Sequence, residues 1–133
     1  MEYRIVEGAE NMALNDVVRL LRTTYWAEDR PVEVIEKALR NSACFGITVP
    51  GRDALAGFAR VVSDQATVFY LCDVVVDEAL RGQGLGTALV AHIVAHPAYG
   101  HLRGFLITRD AHGLYRPLGF EVVNDRVMVR PPQ

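Results

Sequence analysis

The sequence predicts an α/β (α+β) fold: a mixed, mostly antiparallel sheet with about four helices on its faces. Three observations carry this. Alternating or continuous apolar runs of strand length recur along the chain. Between them lie segments whose apolar residues repeat every three to four positions. The longest strand-like run, "TVFYLCDVVV", ends in three glycines that open an amphipathic segment.

The elements follow in order. "YRIVEG" alternates and reads as a strand, and "NMALNDVVRLLRTTYWA" places Leu14, Val17, Val18, Leu20 and Leu21 at helical spacing. Pro31 opens a second helix, "PVEVIEKALRNS", with Val34, Ile35, Ala38 and Leu39 on one face. "CFGITV" is a strand, "PGRD" a turn, and "ALAGFARVV" the hairpin partner. "SDQA" turns the chain into "TVFYLCDVVV". The helix after the glycines keeps Leu85, Ala88, Leu89, Ile93 and His96 in register until Pro97. "RGFLITR" is a further strand and "DAHGLYRPL" a short helix, with Asp110 as its N-cap and Gly119 as its stop. "FEVVNDRVMVR" reads as a terminal hairpin turning at "ND". The order is β-α-α-β-β-β-α-β-α-β-β, a mixed sheet covered by helices.

The 133 residues fit one domain, 1–133, with neither repeat nor linker. Half are hydrophobic and 23% are charged, so a sizeable core is expected. The net charge of −2 gives no general pull toward nucleic acid or anionic membrane, so an anionic ligand must be held locally. Cys44 and Cys72 lie in apolar runs without metal-ligand spacing and read as buried thiols. The N-terminal "MEYRIVEGAE" lacks the apolar core of a signal peptide, and no apolar run reaches the ~18 residues of a membrane span. A soluble cytoplasmic protein is expected.

Glycine within a helical pattern costs about 1 kcal/mol relative to alanine. Arg81-Gly82-Gln83-Gly84-Leu85-Gly86 therefore needs a reason. A strand end, glycines and a helix start make an anion site. The first helical N–H groups lack intrahelical partners and carry the positive end of the dipole. Arg81 stands at the mouth to pair with phosphate oxygens, and Thr87 adds a hydroxyl. A Walker A loop would need a lysine after its last glycine, and here Thr87 follows Gly86. A dinucleotide fingerprint would place its third glycine three residues after the second, and here the gap is two. A pyrophosphate held in some other setting is the remaining reading, against a glycine-rich turn with no ligand.

This hexapeptide, after "VVVDEAL" and before an amphipathic helix, resembles the acyl-CoA-binding motif of the GNAT superfamily of N-acetyltransferases. "GLYRPLGF", Gly113 to Phe120, resembles that superfamily's C-terminal motif, and the element order resembles its fold over essentially the whole chain. The resemblance implies acetyl-CoA or coenzyme A as cofactor, and a sheet that splays beside the strand preceding the loop. Val74 and Val76 would offer backbone groups to the pantetheine arm. Arg81, Gln83, Gly84, Leu85, Gly86 and Thr87 would cradle the pyrophosphate, and Thr108 matches a position that often touches pantetheine. Terminal strands in this fold often pair two chains, which leaves a homodimer open.

Acetyl transfer to an amine needs a deprotonated amine, a stabilised oxyanion and a proton for the leaving thiolate. By resemblance Tyr115 is the general acid; its other reading is a core tyrosine. Asp73 stands inside an apolar strand, where a carboxylate is expensive to bury. It pairs with the acceptor ammonium or relays its proton, or else it is structural. Its placement is similar to the polyamine acetyltransferase branch, which has a second carboxylate where this chain has Cys72. In "TYWAEDRP", Tyr25 and Trp26 are candidate walls of the acceptor pocket, with Glu28 or Asp29 as a lure for a cation; the other reading is a staple between helices. His112 would share a helix face with Tyr115; its other reading is an exposed or capping histidine. His92 and His96 have i, i+4 spacing, but no third ligand is evident and no metal is expected. The expected activity is acetyl-CoA-dependent N-acetyl transfer to a small primary amine. A non-catalytic acyl-CoA sensor and a protein or peptide acetyltransferase are the alternatives.

Overall fold

A computed structural model describes all 133 residues. Five strands form one sheet in the order β1-β2-β3-β4-β5: β1 (Arg4–Glu7), β2 (Ala43–Thr48), β3 (Gly57–Ser63), β4 (Val68–Val76) and β5 (Arg103–Phe105). The first four pair antiparallel, and β5 lies parallel to β4. Helices α1 (Leu14–Leu21) and α2 (Val32–Arg40) join β1 to β2. Helix α3 (Leu85–Val94) crosses from β4 to β5, and α4 (His112–Tyr115) follows β5.

The core has two parts. One gathers Val17, Leu20, Leu21, Ile35 and Leu39 of α1 and α2 against Cys44, Phe58 and Val75 of the sheet. The other packs Leu85, Leu89, Val90 and Ile93 of α3 against Phe45, Ile47, Ala59, Val61, Phe69 and Leu71. Adjacent strand residues such as Cys44 and Phe45 thus serve opposite faces, as period-2 alternation requires. Both cysteines are buried free thiols, each pushed up to about 11 by burial.

One irregularity positions the site. Phe58 pairs with Val75 and Arg60 with Cys72, so Asp73 and Val74 together oppose Ala59. This is a β-bulge, and Asp73 takes a left-handed φ of 54°. The bulge resets the alternation of β4. Phe69, Leu71, Val74 and Val76 meet the α3 side, and Val75 meets the α1–α2 side.

Several expected elements change. Val34 is exposed, and Ile35 and Leu39 alone are the buried anchors of α2. The strand expected over "RGFLITR" stops at Phe105, because its ladder to β4 ends at the Tyr70–Phe105 pair. The terminal hairpin does not form. Beyond Gly119 the chain carries no strand, and Val122, Val127 and Val129 are exposed. The three residues of β5 offer only a short edge for a sixth strand to pair with. Asp110 does not cap α4. Thr108 Oγ1 instead accepts the Ala111 N–H at 2.9 Å. No helix is long and apolar enough to cross a membrane.

Candidate active site

Strand β4 pairs with β5 only through Val68, Phe69 and Tyr70, although it runs on to Val76. The two chains diverge there and open a cleft of about 860 Å³. One wall is Leu71 to Val76 and the other is Leu106 to Thr108. The bulge at Asp73 and Val74 lies within this unpaired stretch of β4.

The glycine loop closes one end of this cleft. Gly82 has φ 80° and Gly84, the N-cap of α3, has φ 84°, conformations that L side chains rarely adopt. A Cβ at either would meet nothing within 4 Å, so backbone shape and not space demands glycine at both. Gly86 is different. It lies in the first turn of α3 and lines the cleft, where a Cβ would meet Val76 and Leu114 only at ordinary contact distances. Protein packing therefore does not require glycine there, and its absent side chain leaves space in the cleft.

The N–H groups of Gly82, Gln83, Gly84, Leu85, Gly86 and Thr87 have no acceptor in the protein; the first bond into α3 is from Ala88 N–H to Gly84 O at 3.0 Å. A consecutive run of free donors at a helix start is a nest for anionic oxygens. Arg81 lines the cleft beside it and donates through Nε to Val76 O at 3.2 Å. That side chain braces the loop against the end of β4, while its terminal nitrogens are free. These residues fit a pyrophosphate: free donors, a guanidinium, and a glycine that leaves space.

Tyr115 reaches the cleft from α4. Its ring is edge-on to Phe120 at 5.9 Å, and burial pushes its hydroxyl up to about 12. That hydroxyl has no protein partner, yet no buried polar side-chain atom is left unsatisfied, so it opens toward the cleft. His112 does not line the cleft.

The opposite end is built around Asp73, whose side chain is 3% exposed. Its Oδ1 accepts Trp26 Nε1 at 2.9 Å. Its Oδ2 accepts Arg30 Nη1 at 2.8 Å and Arg60 Nε at 2.9 Å. Burial alone would raise this carboxyl; the bonds and charges of Arg30 and Arg60 outweigh it and hold the pKa below the ordinary value. Both oxygens are thus occupied within the protein, and this geometry leaves no free carboxylate for an ammonium.

Tyr25 and Trp26 line the cleft, with their rings edge-on at 5.0 Å. Arg109 stacks over Tyr25 at 3.8 Å, which ties this loop to the segment after β5 across the opening. Arg22 Nη1 donates to the carbonyls of Ala27, Glu28 and Arg30, at 2.6 Å to the last, and so shapes the loop that delivers Arg30. Glu28 and Asp29 are exposed and do not line the cleft. His92 and His96 both bond the Glu7 carboxylate, at 3.2 and 3.0 Å, and fasten α3 to β1. No cluster of three or more His, Cys, Asp or Glu suits a metal ion.

Residues 14–120 match the family model described as "Acetyltransferase (GNAT) family". The chain belongs to the GNAT acetyltransferase family. This GNAT chain is 37% identical to a Xanthomonas campestris pv. campestris protein assigned to the same family, whose crystal structure it matches with a TM-score of 0.90 over 99% of this chain and 94% of that one. It is 30% identical over 112 residues to an uncharacterized N-acetyltransferase of Gracilaria tenuistipitata var. liui, covering 80% of this chain and 61% of that protein. The chain thus spans about three fifths of the length of that relative. A predicted acetyltransferase of Clostridium acetobutylicum, solved with acetyl-CoA, shares the fold at 10% identity with a TM-score of 0.68, over 97% of this chain and 96% of that one.

Sequence reasoning missed Arg22, Arg30 and Arg60. The signal for Arg60 was available: a guanidinium inside "GFARVV" has the same burial cost as Asp73 inside "YLCDVVV".

Proposed function

We propose that the protein is an acetyl-CoA-dependent N-acetyltransferase whose acceptor is the primary amine of a small molecule. The observation that carries this is the run of free N–H groups from Gly82 to Thr87 at one end of the β4–β5 opening, with the Tyr115 hydroxyl reaching the same opening. Bound acetyl-CoA supplies an acetyl group activated as a thioester. The loop N–H groups and Arg81 hold the pyrophosphate. The unpaired backbone of β4 at Val74 and Val76, and Thr108 across the cleft, flank the pantetheine arm.

Tyr115 keeps its proton at neutral pH and donates it to the departing sulfur. Asp73 is a positioning residue in this scheme. It holds Arg30, Arg60 and Trp26 around the acceptor end and accepts no proton itself, so the amine loses its proton to water. The Arg109–Tyr25 stack across the opening favours a small acceptor over an extended peptide.

The test is thiol release from acetyl-CoA across a panel of small amines and peptides. Release with a small amine, lost in Tyr115→Phe, supports the proposal. A protein that binds coenzyme A but releases no thiol with any acceptor is a sensor, and release with peptides alone assigns the acceptor to proteins.

A further inference from the structure

The charges at the acceptor end do not cancel. Arg30 and Arg60 share the single carboxylate of Asp73. The cleft's one other lining carboxylate is Asp110, on the loop before α4; its one other lining cation is Arg81, at the glycine loop. Glu28 and Asp29, the remaining acids of the acceptor loop, lie outside the lining.

The guanidinium donors are also unspent. Arg30 makes one side-chain bond, from Nη1 to Asp73. Arg60 uses Nε on Asp73 and Nη1 on Ser42 Oγ at 3.1 Å. Arg30 Nε and Nη2, and Arg60 Nη2, have no acceptor in the protein. No buried side-chain nitrogen lacks a partner, so these donors are reached by solvent, and both residues line the cleft. Asp73 anchors both groups and Ser42 adds a second hold on Arg60; Arg30 keeps its Nε–Nη2 edge, whereas Arg60 keeps Nη2 alone. A fixed guanidinium edge suits the paired oxygens of a carboxylate or phosphate.

The geometry points to an acceptor that carries an anionic group, carboxylate or phosphate, beside its amine, held by the free Nε–Nη2 edge of Arg30 and the remaining Nη2 donor of Arg60. This deepens the transferase reading and rests on it. A polyamine, cationic at both ends, meets two arginines and a carboxylate that is already taken. An amino acid or an amino phosphate offers the amine to the thioester and its anion to the arginines.

The experiment compares acceptors that differ only in the anion: L-amino acids against their amides, and O-phosphoethanolamine against ethanolamine, with spermidine as the cationic control. In thiol release, the anionic member of one pair should show kcat/KM at least about tenfold higher, and the arm that responds identifies the group. Arg30→Gln should raise KM for that acceptor about tenfold more than it raises KM for the neutral partner. Arg60→Lys, which keeps a charge for Asp73 but loses the fork, should do the same if Arg60→Gln does not fold. A preference for amides, ethanolamine or spermidine overturns the inference, as does an anion preference that survives both variants. Where no amine is acetylated, binding decides. Coenzyme A-saturated protein is then titrated with N-acetyl-L-amino acids and their amides, and with N-acetylethanolamine and its phosphate, following the melting temperature. Stabilisation by the anionic compounds alone keeps the anion site while the transferase reading falls. Equal or absent stabilisation removes the site.

Discussion

Arg60 Nε donates to Asp73 Oδ2 at 2.9 Å across the bulge that joins β3 to β4. The same oxygen takes Arg30 Nη1, so one carboxylate sets two guanidinium groups that come from different parts of the chain. The bulge makes this reachable: Asp73 occupies its left-handed position, and its side chain enters the space the splayed strands leave.

Asp73→Asn should therefore lose stability as well as activity. The amide keeps one acceptor oxygen, but the other becomes an NH2 donor among donors, and the carboxylate charge is lost to both guanidinium groups. Truncating one partner of a buried ion pair costs about 3–5 kcal/mol, and here the arginines retain access to the cleft, so about 2 kcal/mol is expected. Calorimetry should show the lower melting temperature, and kinetics should show a raised acceptor KM, while coenzyme A affinity measured at the far end stays unchanged. A variant of native stability and normal acceptor KM would remove Asp73 from the acceptor site.

Gly86 separates ligand space from backbone shape. Gly86→Ala meets no clash in the protein and replaces a helical glycine, so the free protein should gain up to about 1 kcal/mol. The same methyl enters the cradle, so the melting-temperature rise caused by coenzyme A should shrink. Gly84→Asp behaves differently: at φ 84° it strains the free protein too, and its charge repels phosphate. An undiminished coenzyme A shift in Gly86→Ala would place the pyrophosphate elsewhere.

The acid side of stability has its own marker. Asp77 N-caps the short turn after β4 and accepts from Arg19 at 2.9 Å and Arg52 at 2.8 Å. The Arg52 bond leads, with the Ala79 N–H and Arg19 adding to it, and the carboxyl falls from 3.8 to about 2. A carboxyl lowered in the folded state stabilises above its unfolded value, and that contribution is lost as pH falls from about 4 to 2. Asp73 shifts the same way. Melting temperature should thus drop over that window, and Asp77→Asn should flatten part of the drop. An unchanged acid profile in that variant would mean the pairs exert no net effect.

Much of this was legible in residues and spacing. Glycines at 82, 84 and 86 located the loop, although they differ: positive φ demands the first two, and neither φ nor packing demands the third. "DVVV" announced a strand, but not the bulge, because a left-handed aspartate leaves no pattern in the sequence. Arg60 inside "GFARVV" carried a signal, whereas Arg30 was illegible as a partner of Asp73, since it arrives from a loop shaped by Arg22 through backbone carbonyls alone. The last strands were overread. Apolar alternation in "FEVVNDRVMVR" states a preference for pairing and does not supply the neighbour; β5 offers only a short edge.

Tyr115 gives the sharpest chemical test. Its hydroxyl donates to nothing in the protein, so Tyr115→Phe removes no internal bond and should leave the melting temperature and the coenzyme A shift as they are. Only the proton for the leaving thiolate is lost, and kcat should fall about 10²-fold. The pH profile adds a second reading. Burial raises the hydroxyl to about 12, so the acid form persists where an ordinary tyrosine, near 10, is half ionised. Wild-type kcat should therefore hold through pH 10. Stability has the same sign: a group raised in the folded state stabilises below its unfolded value, and that contribution disappears as pH climbs from about 10 to 12. A kcat limb centred near 10, or a Phe variant with unchanged kcat, would move the proton donor away from Tyr115.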